Sequence, residues 1–256
     1  MNEPVDLEIS DHIATVTLNA PPVNAQNAAF MDALVACFDR ISDDRDVRCA
    51  ILTGAGKVFS AGADLKSRVN RSTEPGAQWA HLRRVRESFY SVMECRKPVI
   101  AAVNGPALGA GLVLAASCDI LIVSENASFG LPEIDVGLMG GARHTLRLFG
   151  HSLARRMVLT GYRVPGPELH RLGIVEDCVP PDQLMPTARA MAVNIATKSP
   201  HAIRLAKRTL GAIENLSLRD GYRFEQNMTA EYTQHPDSRE SMLGFIEKRT
   251  ERDFED

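Results

Sequence analysis

The chain has 256 residues, enough for one large domain with a full hydrophobic core and no need of disulfide or metal staples. An apolar share of 45%, a charged share of 24% and a net charge of −3 describe a globular protein with no global field to draw it to nucleic acid or an anionic membrane. The five cysteines (Cys37, Cys49, Cys95, Cys118, Cys178) form no CxxC and no metal spacing, and read as buried thiols of a reducing compartment. The start, MNEPVDLEIS, lacks the apolar stretch of a signal peptide, and the most apolar run, 99–122, holds Asn104, Asp119 and several glycines. No membrane span is expected, and the expected location is the cytoplasm.

In chain order, Val5, Leu7 and Ile9, then the alternation over 13–18, predict a β-hairpin turning at Ser10-Asp11-His12 and ended by Pro21-Pro22. Over 28–41, Phe30, Leu34, Cys37, Phe38 and Ile41 share one helical face, and Asp43-Asp44 breaks the pattern. The run 47–53 reads as a buried strand, 53–62 as a small-residue loop and 77–94 as a helix with an arginine-rich face. A second buried strand is expected over 99–103, a small-residue helix over 107–116 and a third strand over 120–123. Strand–helix alternation of this kind implies parallel pairing. Beyond about 146 the pattern reads almost purely helical, punctuated by prolines.

Several familiar sites are excluded by spacing. Gly54-Ala55-Gly56-Lys57 has Val58 where a phosphate loop needs Ser or Thr, and Leu114 replaces the third glycine of a dinucleotide fingerprint begun at Gly109. No G-x-S-x-G elbow and no H-E-x-x-H occurs, and the seven histidines are scattered, so no metal is expected.

Two small-residue loops remain, each at a strand end: Phe59-Ser60-Ala61-Gly62-Ala63-Asp64-Leu65 and Asn104-Gly105-Pro106-Ala107-Leu108-Gly109-Ala110-Gly111. Each leads into an expected helix, whose first N–H groups lack intrahelical acceptors. Two such donors aimed at one point would hold a thioester carbonyl and stabilise it as an oxyanion. Either loop alone is no more than a tight strand–helix turn.

Together, the loops resemble those of the crotonase (enoyl-CoA hydratase/isomerase) superfamily. The resemblance continues through Ser117-Cys118-Asp119-Ile120, Ala127 to Ile134, Leu159-Thr160-Gly161, Gly173-Ile174-Val175 and the ending Phe245 to Arg249. It implies a spiral of ββα units over 1–196, a C-terminal helical trimerisation region over 197–256, and assembly as a homotrimer or hexamer. It implies an acyl-CoA thioester substrate, with coenzyme A part of that substrate and no resident cofactor.

By the same resemblance the oxyanion donors are the backbone N–H groups of Ala63 and Ala110, and Glu133 is catalytic. Ala61, Gly62, Asp64, Leu65, Gly109, Val113, Leu131, Pro132 and Leu138 are expected around the substrate, with Asp64 capping the following helix. Family hydratases use two glutamates. The second matches Glu133, but Val113 stands in place of the first, an arrangement similar to Δ3,Δ2-enoyl-CoA isomerases. One base then removes a proton from C2 of a 3-enoyl thioester and returns it at C4, while an apolar Val113 excludes water. Hydration, or another enolate reaction, stays open as the alternative.

Asp135 is a further pocket candidate, on the same side as Glu133 if the segment is extended. Arg143 and His144 are candidates for a polar acyl group, or else lie exposed at a helix start. Lys66, Lys97, Lys248 and Arg249 are candidates for the CoA phosphates. A non-catalytic CoA-binding role and RNA binding through Arg83, Arg84 and Arg86 are remote alternatives; three arginines at this spacing make no single stripe.

Overall fold

The computed structural model describes residues 3–70, 72–249 and 254. Strands β1 (Val5–Ser10) and β2 (Ile13–Leu18) form the hairpin, with Asp11 and His12 both left-handed between them. Two positive-φ residues are what a two-residue turn needs to match the twist of its strands. A cis Pro21-Pro22 bond follows, then β3 (Ala25–Gln26) and α1 (Ala28–Asp43). Asn27 caps α1 by accepting from the N–H of Phe30 at 2.9 Å. Phe30, Leu34, Cys37, Phe38 and Ile41 are buried along its inner face.

The next elements are β4 (Cys49–Gly54), β5 (Gly62–Ala63), α2 (Leu65–Val69), α3 (Ala77–Met93), β6 (Val99–Val103), β7 (Pro106–Leu108), α4 (Ala110–Ala116), β8 (Ile120–Ser124) and β9 (Ser128–Gly130). A 3-10 turn, Pro132–Val136, leads to α5 (Ala142–Leu148), α6 (His151–Thr160), β10 (Arg163–Pro165), α7 (Gly166–Arg171) and β11 (Asp177–Val179). The helices α8 (Leu184–Ala196), α9 (Pro200–Ile213), α10 (Leu218–Thr233) and α11 (Pro236–Ile246) complete the described fold.

Long and short strands take different layers. One sheet has the order β1-β2-β4-β6-β8-β11, parallel except for the β1–β2 hairpin. The short strand after each of β2, β4, β6 and β8 lies in a second layer: β3 pairs with β5, and β7 with β9 and β9 with β10. A Ser60–Ala107 bridge joins those two pieces. Each repeat is therefore two strands and a return through a helix or loop, which winds the chain as a spiral of ββα units.

The long strands read as continuous apolar runs because both faces are covered. Ala50 and Leu52 of β4 face the main core with Phe30, Phe38, Phe59 and Phe129. Cys49 and Ile51 face the opposite side, where Leu184, Ala188 and Ala192 of α8 pack on them. Helices α9, α10 and α11 pack largely on one another.

Two expectations need correcting. The expected helix over 107–116 starts only at Ala110: Pro106–Leu108 is a strand, because Ala107 is drawn into pairing with both Ser60 and Phe129. The region beyond 146, read as almost purely helical, also holds two short strands. Arg163–Pro165 and Asp177–Val179 extend the two sheets, and three-residue strands carry too little alternation to stand out from helical neighbours.

Candidate active site

A buried polar network shapes the first loop. Asn24 is left-handed and buried; its side-chain N–H groups reach the carbonyls of Val58 (2.8 Å), Ala55 (3.1 Å) and Phe59 (3.1 Å), and its Oδ1 accepts from the N–H of Ala20. Ser60 is buried too. Its hydroxyl donates to the carbonyl of Asn24 (2.7 Å) and accepts from Gln26 Nε2 (3.1 Å) and the N–H of Gly62 (3.2 Å). These bonds anchor residues 58–62, and β5 follows directly.

The N–H of Asp64 donates to Gln26 at 3.2 Å. Successive amides of an extended strand point to opposite edges, so the N–H of Ala63 points away from β3. Gly62, the residue before it, lies against the start of α4. A Cβ added to Gly62 would stand 3.0 Å from the amide nitrogen of Ala110. Ala110 is the first residue of α4, and its N–H has no acceptor within the helix.

The second layer delivers Glu133 to the same place. Leu108 pairs with Gly130, and the N–H of Gly109 donates to the carbonyl of Gly130 at 2.9 Å. The turn Pro132–Val136 then folds back over Gly109. Gly109 has φ 55°, and a Cβ on it would collide with Glu133 Oε1. The carboxyl thus lies directly against the backbone that opens α4. Its Oε2 is buried and has no hydrogen-bond partner among the described residues. Burial pushes the Glu133 carboxyl above the ordinary carboxylate range, against smaller opposing pulls from its own backbone N–H and from the Arg68 guanidinium.

Glu133 opens into a cleft of about 310 Å³. Of the residues selected from the sequence, Ala61, Ala63, Asp64, Leu65, Gly109, Pro132, Glu133 and Leu138 line it, and so does Lys66. The Asp64 carboxylate accepts from the N–H of Lys66 at 3.1 Å and so caps α2, which leaves Glu133 as the carboxyl of the cleft not engaged in a helix cap. Val23, Ala25 and Val136 also line the cleft and were missed. Their only signal is adjacency to Pro22 and to Glu133, and a two-residue strand such as β3 has no periodicity to read.

Other expected positions lie elsewhere. Val113, Leu131 and Gly62 are buried, and neither they nor Ala110 are part of the cleft wall. Val113 and Leu131 pack behind it, where a Cβ on Gly141 would come within 3.0 Å of Val113 and 2.7 Å of Leu131. Asp135 does not share the side of Glu133. The segment is a 3-10 turn rather than a strand, so residues two apart diverge, and Asp135 turns toward Gly161.

Arg143 donates to Asn215 Oδ1 at 2.8 Å, and the His144 ring meets Phe89 edge-on at 5.9 Å; neither lines the cleft. Burial, then Arg147 and Arg143, hold the His144 pKa below its ordinary value. Lys97 is buried beside Arg204, away from the cleft, and Arg249 is paired with Glu240 and Glu247. On α3, Arg84 pairs with Asp32 and Arg86 with Glu87, which removes two of the three arginines from any nucleic-acid stripe. Among the described residues no group of His, Cys, Asp and Glu is placed to hold a metal, and no helix is long and apolar enough to cross a membrane.

A family model for enoyl-CoA hydratase/isomerase matches residues 8–256. The chain belongs to the enoyl-CoA hydratase/isomerase family. It is 37% identical over 95% of its length to a Dictyostelium discoideum protein named "Probable enoyl-CoA hydratase, mitochondrial", 88% of which is covered. It is 36% identical to the short-chain-enoyl-CoA hydratase of Clostridium acetobutylicum, with 96% of this chain and 95% of that one covered. The crystal structure of an enoyl-CoA hydratase from Bacillus anthracis superposes with a TM-score of 0.91 at 32% identity, covering 98% of each chain. The fold is therefore the crotonase fold, and this member of the enoyl-CoA hydratase/isomerase family is an enzyme acting on acyl-CoA.

Proposed function

We propose that the protein catalyses Δ3,Δ2-enoyl-CoA isomerisation, with Glu133 as the single proton shuttle. One observation carries the reading: a half-buried carboxyl, whose Oε2 has no hydrogen-bond partner among the described residues, lies against Gly109 at the start of α4, while Val113 supplies no second acid. The thioester carbonyl accepts from the amides of Ala63 and Ala110. Glu133 removes a proton from C2, the C3–C4 double bond moves to C2–C3 through a dienolate, and the same carboxyl returns the proton at C4. Each amide donor is worth about 2.7–4 kcal/mol of transition-state stabilisation. Lys66, at the cleft, is the cation placed to meet a CoA phosphate. The chemistry is acid–base throughout and calls for no resident cofactor.

A second reading is hydration of a 2-enoyl-CoA, in which water adds at C3 and a proton at C2. The hydratase names of the relatives favour it. Ultraviolet absorbance of the conjugated thioester separates the two when a 3-enoyl-CoA is supplied. A rise that persists, and that Glu133→Gln slows by about 10²–10⁴-fold, supports isomerisation. A rise that decays as the 3-hydroxyacyl product forms supports hydration as well, and no rise removes isomerisation for that acyl chain.

The assembly we infer is a trimer formed through α9–α11. Large apolar side chains stand exposed on these helices, among them Leu210, Leu218, Tyr222, Phe245 and Ile246.

A further inference from the structure

A second cavity, of about 670 Å³, lies between the end of α3 and the inner face of α9, and none of the cleft residues belongs to it. On α9 its wall is a helical stripe at i, i+3, i+4, i+7, i+10 and i+11: His201, Arg204, Leu205, Arg208, Gly211 and Ala212. Gly211 and Ala212 leave room, and a Cβ on Gly211 would meet nothing within 4 Å. Arg96 and Lys207 add two more cations, against Glu94 and Glu231. The cavity is thus locally cationic in a chain whose net charge is −3.

The arginines are not used up by the fold. Lys207 is committed to Asp119 at 2.8 Å and to the carbonyl of Lys97, and Arg96 reaches Asp43 only at 3.8 Å. Arg204 is steadied by His201 Nδ1 at 3.4 Å rather than by an acid, and that ring stacks on His235 at 4.1 Å. The side chain of Arg208, one turn on, makes no hydrogen bond or ion pair among the described residues. Like charges at i and i+4 repel, and an anion between them removes that cost.

We propose that this cavity is an anion site, separate from the Glu133 cleft, that takes a phosphate-bearing small molecule. Phosphate suits it because two guanidinium forks one turn apart match its oxygens. Leu205 and Met93 then offer apolar contact to whatever the phosphate carries. The phosphate could come from a free metabolite or from the nucleotide end of an acyl-CoA; a separate site requires the first source.

The test is calorimetric titration of the full chain with inorganic pyrophosphate, with and without saturating coenzyme A. The expected result is one saturable site per chain that coenzyme A leaves unchanged. The Arg204→Met/Arg208→Met double variant should weaken it about tenfold or more while retaining coenzyme A binding. If that variant does not fold, Arg208→Gln at an exposed helical position should still weaken pyrophosphate binding. No saturable heat, unchanged affinity in the folded variant, or displacement of pyrophosphate by coenzyme A overturns the proposal.

Discussion

Glu133 is held between opposing influences, and they set a pH dependence. Burial raises its pKa, while the Arg68 guanidinium lowers it by a smaller amount. A carboxyl acting as a base must be ionised, so turnover should fall as pH drops through the raised value. Arg68→Met removes a cation that favours the carboxylate, and the acid limb of kcat/KM should move to higher pH. A limb that stays in place, or moves to lower pH, would show that Arg68 does not act on Glu133. At this scale the two small-residue loops around Gly62 and Gly109 were legible because glycine-rich strand–helix turns are local features. Asp135 was not, because its direction depends on whether its segment is extended or turned. That choice is settled by Gly137 at positive φ and by the bond from the Leu138 N–H to the Glu133 carbonyl, not by propensity.

Among the elements, α4 has seven residues and would not persist alone. Its C-terminal end is tied down by Arg147 of α5, which donates to the carbonyl of Ala116 at 2.9 Å and to Glu214 at 2.7 Å. A cation there satisfies an unpaired helix carbonyl and complements the helix dipole. Arg147→Met should cost about 1–3 kcal/mol in chemical denaturation, since it strands Glu214 and the carbonyl together. Arg147→Lys should recover only part, because an ammonium cannot span both acceptors as a fork does. An unchanged denaturation midpoint for Arg147→Met would mean the tie contributes nothing. Nothing local in the sequence marks Arg147, whose partners lie 31 and 67 residues away.

For the whole molecule, the proposed trimer rests on the exposed apolar side chains of α9–α11. Phe245 is 79% exposed and Ile246 74% exposed. Light scattering should give the mass of three chains, and Phe245→Asp should shift it toward one chain, because a buried carboxylate is costly in an apolar contact. A wild-type mass of one chain would end the trimer reading. The sequence by itself determined the hairpin, the amphipathic α1, the buried strands and the family, since each rests on periodicity or on motifs of contiguous residues. Only the tertiary structure decided that Ala107 pairs as a strand, that β10 and β11 extend the sheets, that Val113 packs behind the cleft, and which cations reach it. Those outcomes turn on partners tens of residues away, and no local pattern encodes the geometry that brings them together.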